Sequence, residues 1–522
     1  MPARAAPPTH RRILIAFSGL AMVLLLAALD STIVSTALPT IVGELGGLER
    51  LAWVVTAYIL AQTVVTPLFG KLGDLYGRKQ VLQAAIVVFL VGSVLCGIAQ
   101  NLIQLIVFRF IQGLGGGGLM VTTQATVGDL VSPRERGRYM GIFGAVYGLA
   151  SILGPLLGGF FTTHMTWRWI FFINVPLGAI AMAVLVATLP PSHVRVSHAI
   201  DYLGAALVAA LLSSLVLISD VGGTDARWLS APMAALTSVA VVALIGFLWT
   251  EPRAKEPVLP LRLFRDETFA LTSVIGFAVG FAMFGSITYV PVFLQVVQGH
   301  TPTRSGLLLV PMMVGLLSAS ITSGQLISRT GHYKIFPILG TGFSTIGLFL
   351  LSRIAIGTPT ATVVLSMMLL GAGLGLVMQV LVIAVQNTAP DGDLGVATSS
   401  SMLFRLVGGS IGTAVLGAVF ASRVMAGVAM VAGAADNGGP PVHTTLSPAM
   451  LARLPAATRA LYAQAFAHAI DAVFLVAAAV SLVSFVLCWM MPAKPLRKTV
   501  SAAASDVGQE TGEGLVAAPA EE

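Results

Sequence analysis

Runs of about twenty apolar residues recur along the whole chain, and no other feature restricts the fold as strongly. A helix of that length crosses the hydrocarbon core of a bilayer. Hydrophobic residues make up 56% of the chain and charged residues 10%, whereas a soluble domain carries about a quarter charged residues. The runs lack the period-two alternation of a membrane barrel, so the spans are helices. The expected fold class is all-α integral membrane. About fourteen spans are expected, at 13–38, 51–70, 81–99, 102–127, 138–161, 169–189, 201–220, 231–249, 268–296, 305–327, 335–353, 361–385, 395–421 and 467–491.

An even number of spans puts both termini on one side. With the termini cytoplasmic, about 19 Lys and Arg fall in cytoplasmic segments and about 8 outside, the bias that supports this orientation; the expected location is a plasma (bacterial-type inner) membrane. Arg4, Arg11 and Arg12 precede the first run as in a secretory signal, but that run is too long for a signal core and is taken as an uncleaved span. The net charge of +7 is spread over short loops, so no nucleic-acid partner is expected. Cys96 and Cys488 both lie in apolar spans and suggest neither a disulfide nor a metal site. The eight His are scattered without metal spacing. No Gly-rich loop ends in Lys-Ser or Lys-Thr, so ATP is not the expected driver. With no catalytic constellation, neither an enzyme nor a cofactor is expected.

"GKLGDLYGRK" (Gly70 to Lys79) follows the second span, and "GQLISRTGHYK" (Gly324 to Lys334) follows the tenth. This repetition suggests two related six-helix halves joined by an extra pair of helices. The expected division is a cytoplasmic tail at 1–12, a first bundle at 13–189, an inserted helix pair with a charged, Pro-rich linker at 190–267, a second bundle at 268–493 and a disordered tail at 494–522. A long external loop is expected at 422–466, with "SPAMLARLPAATRALYAQAF" as a short surface helix within it.

Asp30 lies inside the first span, where a charge costs on the order of 3 kcal/mol or more. It sits about nine residues, or about 13 Å, below the outer end. Arg109 in the fourth span lies about 10 Å below the same surface, with Gln112 and Gly113 on its face. Burial disfavours the charged form of a carboxyl, and a nearby guanidinium favours it. A conformational change that alters either balance loads or unloads a proton. Two other readings stand beside this one: a static ion pair that sets helix register, and an Arg109 bonded only to backbone carbonyls.

These residues resemble the motifs of the fourteen-helix drug:proton antiporters of the major facilitator superfamily (EmrB/QacA type), over nearly the whole chain. "LDSTIVSTALP" is similar to the first-helix motif and "WVVTAYIL" to the second-helix segment. "GKLGDLYGRK" matches the loop pattern with Gly70, Gly73, Asp74, Gly77, Arg78 and Lys79 in place. "RFIQGLGGG" matches the fourth-helix motif through Arg109, Gln112 and Gly113, and "GPLLGG" the fifth-helix motif through Gly154, Pro155, Gly158 and Gly159. "WRWIFFINVP" is similar to the start of the sixth helix. The resemblance implies two six-helix bundles plus two helices between them, a proton carrier at Asp30 tuned by Arg109, and a bent, tightly packed fifth helix.

The loop motif carries a gating logic. Asp129 is placed to pair with Arg78, and Asp74 to face the start of the thirteenth span near Gly395, where free N–H groups favour an anion. Such contacts close the cytoplasmic side; the alternative is ordinary positive-inside charge. Ser328 stands where the second copy needs its acid, so the first-half loop is expected to dominate. Arg405, about 15 Å into the thirteenth span, either faces a central cavity or bonds carbonyls. Tyr58, Gln62, Gln112, Asn174, Tyr289 and Gln379 are candidate cargo contacts, each with the alternative of an interhelical hydrogen bond. Met378 would suit an adaptable apolar surface.

The expected activity is export of small amphipathic compounds in exchange for protons, by alternating access around a central site, with membrane lipid, cargo and protons as partners. The alternatives are export of one metabolite, antibiotic or siderophore, and, opposed by the full motif set, a membrane-embedded sensor or enzyme. No second acid lies deep in the second half, so neutral or singly charged lipophilic cargo is expected rather than a dication. A periplasmic adaptor is left open.

Overall fold

The computed structural model describes residues 10–45, 51–189, 201–225, 230–300, 302–355, 357–434 and 456–496. It is helical throughout the expected spans. Among the described residues, eleven helices are long and apolar enough to cross a membrane, and three shorter apolar ones bring the set to fourteen. The first half holds α1 (His10–Leu45), α2 (Leu51–Tyr76), α3 (Arg78–Gly97), α4 (Leu102–Leu130), α5 (Pro133–His164) and α6 (Trp169–Thr188). The inserted pair is α7 (Tyr202–Asp225) and α8 (Ala231–Thr250). The second half holds α9 (Glu267–Val292), α10 (Val310–Thr330), α11 (Ile335–Leu351), α12 (Thr360–Thr388), α13 (Leu394–Ala434) and α14 (Ala456–Met490).

Packing repeats between the halves. In the first, α1 packs on α5 and α6, and α4 on α2 and α3; in the second, α9 packs on α13 and α14, and α12 on α10 and α11. The halves meet through the matching pairs α5 with α10 and α2 with α13. The two motif loops share a positive-φ glycine and a helix-end lysine. Gly77 and Gly331 hold φ of 91° and 76°, a left-handed turn that glycine adopts without a Cβ clash. Lys79 donates to the carbonyls of Val186 and Leu189 at the end of α6, and Lys334 to that of Trp489 at the end of α14. Each lysine thus satisfies carbonyls that a helix terminus leaves open.

Local chemistry explains the ends. Asn101 caps α4 by accepting from the Gln104 N–H, and Asp266 caps α9 by accepting from the Phe269 N–H. The α7–α8 pair packs on α2 and α13, while α8 turns Val242, Ile245 and Trp249 outward, where lipid suits an apolar face.

Three details differ from the sequence reading. The segment expected as external loop at 422–466 is helical at both ends, because α13 continues to Ala434 and α14 already begins at Ala456. Its Ala-rich flanks contain no proline to stop them. The expected surface helix is therefore, from Ala456 on, the first turns of α14, and its earlier part lies outside the described residues. The expected disordered tail lies within them only at 494–496, and these residues are held in place: Lys494 Nζ pairs with Asp266 at 2.6 Å, the Pro495 carbonyl accepts from Asn387 and Leu496 is buried. Residues 1–9 and 497–522 also lie outside.

Candidate functional site

Asp30 sits on α1 with no exposed surface. Arg109 Nη1 on α4 donates to its Oδ2 at 2.6 Å. Gln112 Nε2 and Asn174 Nδ2 donate to its Oδ1 at 2.8 and 3.1 Å. Two helices, α4 and α6, thus aim three N–H groups at one carboxylate on α1. Gln112 Oε1 in turn accepts from Arg109 at 2.8 Å, and Asn174 also donates to Ser93 Oγ at 2.9 Å. The guanidinium carbon stands 4.1 Å over the Tyr58 ring, a cation–π contact. Arg109 Nε reaches the Val54 carbonyl at 3.4 Å. Arg109 is bonded to a carbonyl and to Asp30 at once, so the carbonyl-only alternative does not describe it. The glycines after it admit its neighbours. A Cβ at Gly113 would strike the Tyr58 carbonyl, and one at Gly117 would come within 2.6 Å of the Gln62 carbonyl.

Gln112 and Asn174, set among the candidate cargo contacts, are fully buried ligands of Asp30 instead. Tyr58 is buried on α2 against Arg109 and the α4 glycines. Gln62 donates to Met120 Sδ at 3.2 Å. Tyr289 belongs to the apolar core of the second half, its ring 5.1 Å from that of Phe420. Packing explains this: Tyr289 lies near the C-terminal end of α9, away from the mid-depth groups. Gln379 on α12 lies beside Gly144 of α5, between the halves, and its Oε1 has no hydrogen-bond partner among the described residues.

At the membrane face that carries the two motif loops, Asp74 accepts from the N–H groups of Gly395 and Val396 at 3.0 and 2.9 Å, at the first turn of α13. Arg78 pairs with Asp74 and, through Nε at 3.0 Å, with Asp129. Close approach requires the glycines. A Cβ at Gly70 would lie 2.6 Å from Ser399 Cβ, and one at Gly73 would lie 2.7 Å from Arg78 Nη1. The second copy is built differently. Ser328 offers no carboxylate, and Arg134 at the start of α5 donates instead to the carbonyls of Ser328 and Arg329 at 3.1 and 2.6 Å. The first half contributes an anion to a helix N-terminus, and the second offers its helix C-terminus to a cation.

Sequence reasoning missed Arg136, which is buried and donates to the carbonyls of Gly128, Val131 and Gln386, tying the ends of α4 and α12 together. It also missed the α5–α10 seam, where Gly137 and Gly141 face the Gly324 and Ser320 carbonyls. The spacing of Gly137, Gly141, Gly144 and Gly148 along one face of α5 was the available signal. Lys71 adds a 2.6 Å ion pair to Glu256 of the linker, and Arg262 a 2.7 Å pair to Asp393.

On α5, Gly154 and Gly158 pack against Thr32 and Thr36 of α1, with Ile33 O 2.9 Å from a Cβ at Gly158. Gly159 is a correction: nothing lies within 4 Å of its would-be Cβ, because it points away from α1. α5 runs unbroken through an exposed Pro155.

The fourteen apolar helices, the repeated packing and the repeated loops coincide with a match of residues 20–413 to the family model described as Major Facilitator Superfamily. The chain belongs to that superfamily. It is a membrane transporter family, not an enzyme family. The chain is 44% identical to an uncharacterised MFS-type transporter of Mycobacterium tuberculosis, over 94% of this chain and 70% of that protein. It is 39% identical to the multidrug transporter protein MdtP of Bacillus subtilis, over 78% of this chain and 75% of that one. The human organic anion transporter MFSD10 shares the fold with a TM-score of 0.63 at 16% identity, covering 92% of this chain and all of that one.

Proposed function

We propose that the chain is a proton-coupled exporter of small amphipathic compounds, of the fourteen-helix EmrB/QacA branch, working by alternating access in a plasma (bacterial-type inner) membrane with both termini cytoplasmic. The observation that carries this reading is the Asp30 network. Three N–H donors converge on its carboxylate, so a bound proton would set an O–H against one of them and force α1, α4 and α6 to readjust. The cross-half contacts at Asp74, Arg134 and Arg136 lie at the cytoplasmic ends of the helices and hold the inner side shut. Proton binding at Asp30 then favours the inward turn, proton release and cargo binding the return. No cofactor and no nucleic acid enters this cycle; lipid, cargo and protons are its partners.

The names of relatives support the export direction, since MdtP is called a multidrug transporter and a Fusarium relative, 32% identical, an efflux pump. A second reading, a dedicated exporter of one metabolite, draws on a relative in Aspergillus aculeatus, 32% identical and named for the acurin A biosynthesis cluster. The test uses purified protein in liposomes with an imposed pH gradient and a panel of unrelated amphipathic compounds. Gradient-driven movement of several compounds is expected. Movement of a single compound favours the dedicated exporter, and movement indifferent to the gradient refutes proton coupling.

A further inference from the structure

Arg405 lies eleven residues past the first residue of α13, about 17 Å along the helix, near the middle of the bilayer. A guanidinium at that depth is costly unless something compensates it. Arg109 has Asp30, Gln112, a carbonyl and the Tyr58 ring. Arg405 has no ion pair and no side-chain hydrogen bond among the described residues. The acids that approach α13 are engaged elsewhere: Asp74 with Gly395, Val396 and Arg78, and Asp393 with Arg262, all at its cytoplasmic end. The Asp30–Arg109 pair is internally neutral. Among the described residues, Arg405 is therefore a positive charge without a counter-charge at mid-bilayer depth, where the low dielectric makes its field strong.

Its surroundings are those of a binding site. Tyr147 of α5, in the opposite half, is within electrostatic reach of Arg405 and also of Tyr58. It keeps 37% of its surface accessible at mid-depth. One turn below it, Gln379 Oε1 is buried without a partner beside Gly144, and Tyr58 Oη is likewise buried without one. A charged head, aromatic faces and unsatisfied polar atoms thus converge where cargo must pass.

We propose that Arg405 holds the charged end of an anionic amphipathic cargo, a carboxylate, sulfonate or phenolate, whose apolar body lies against Tyr147. This rests on the transport reading above and names its cargo class. It also sets the charge balance. Exchanging one proton inward for one monoanion outward moves two positive charges inward per cycle, whereas a neutral cargo moves one. An inside-negative potential therefore drives anion export in addition to the pH gradient.

The test measures binding of 1-pyrenebutanoate and the uncharged 1-pyrenebutanol to the purified full chain by fluorescence anisotropy. The wild type is expected to prefer the acid by about 10- to 100-fold, the worth of a hydrogen-bonded charge. Arg405→Gln is expected to erase the preference while leaving the alcohol's affinity unchanged, and Arg405→Lys to keep part of it. Equal wild-type affinity for the two probes, or equal loss of both in Arg405→Gln, overturns the assignment. Proton release on adding the acid is read in parallel. An Arg405-dependent preference without proton release leaves the anion site standing and removes the antiport reading. Proton release triggered equally by both probes, with no preference for the acid, does the reverse.

Discussion

Replacing Asp30 by Asn removes one charge and little volume, which makes it the most informative single change. The carboxylate takes Arg109 at 2.6 Å, Gln112 at 2.8 Å and Asn174 at 3.1 Å. An amide in its place keeps one acceptor and turns an NH2 toward a donor. Arg109, 1% exposed, retains Gln112 Oε1 and the Tyr58 ring but loses its counter-charge. Breaking a buried pair from one side costs about 3–5 kcal/mol, because the remaining charge is left uncompensated. Arg109→Gln alone should cost a similar amount, and the double variant clearly less than the sum, since both charges then leave together. The assay is denaturant unfolding in micelles for all four proteins, with cargo-induced proton release measured on each that folds. Wild type should release protons and Asp30→Asn should not. Additive destabilisation in the double variant would refute the pairing argument. Undiminished proton release from Asp30→Asn would make Asp30 a structural charge and move the coupling site elsewhere.

Gly70→Ala should open the cytoplasmic side, because the new methyl meets Ser399 Cβ at 2.6 Å and Gly395 O at 2.7 Å; spin-label distances between α2 and α13 would lengthen, and unchanged distances would count against the gate. Asp74→Asn should weaken the same closure by about 0.3–2 kcal/mol, the range for an anion at a helix N-terminus, seen as faster labelling of a cysteine at Ser399 from the cytoplasm. On α5, Gly158→Ala should lower thermal stability and transport through its clash with α1, whereas Gly159→Ala should leave both near wild type. The Asp266 carboxyl would be raised by burial, but the Lys494 ammonium and the Phe269 N–H outweigh that and hold it below its ordinary 3.8. A depressed carboxyl contributes stability that is present above its unfolded value and lost as pH falls through the folded one. Lys494→Ala should therefore lower the apparent melting temperature at neutral pH, and the difference from wild type should vanish in strong acid.

The number of spans and the shared depth of Asp30 and Arg109 were legible in the sequence. The bilayer sets span length, and the helix rise converts residue number into depth without any knowledge of packing. The Asp74–Gly395 and Arg78–Asp129 contacts were legible too, because helix ends on one face of a membrane have few partners to choose from. Rotation about each helix axis was not, and it decides the rest. Asn174 and Gln112 turn toward Asp30, while Gly159 turns away from α1. The helical extensions of α13 and α14 escaped the span reading because a hydropathy boundary marks the edge of the lipid, not the end of a helix. Ser328 was visible as a missing acid. That Arg134, 194 residues away in the chain, takes over by binding the backbone there emerges only when two halves are packed face to face. Composition and spacing determine that this chain spans a membrane and where its charges lie in depth. Tertiary packing decides which of those charges are neutralised and leaves Arg405 among the described residues with no counter-charge.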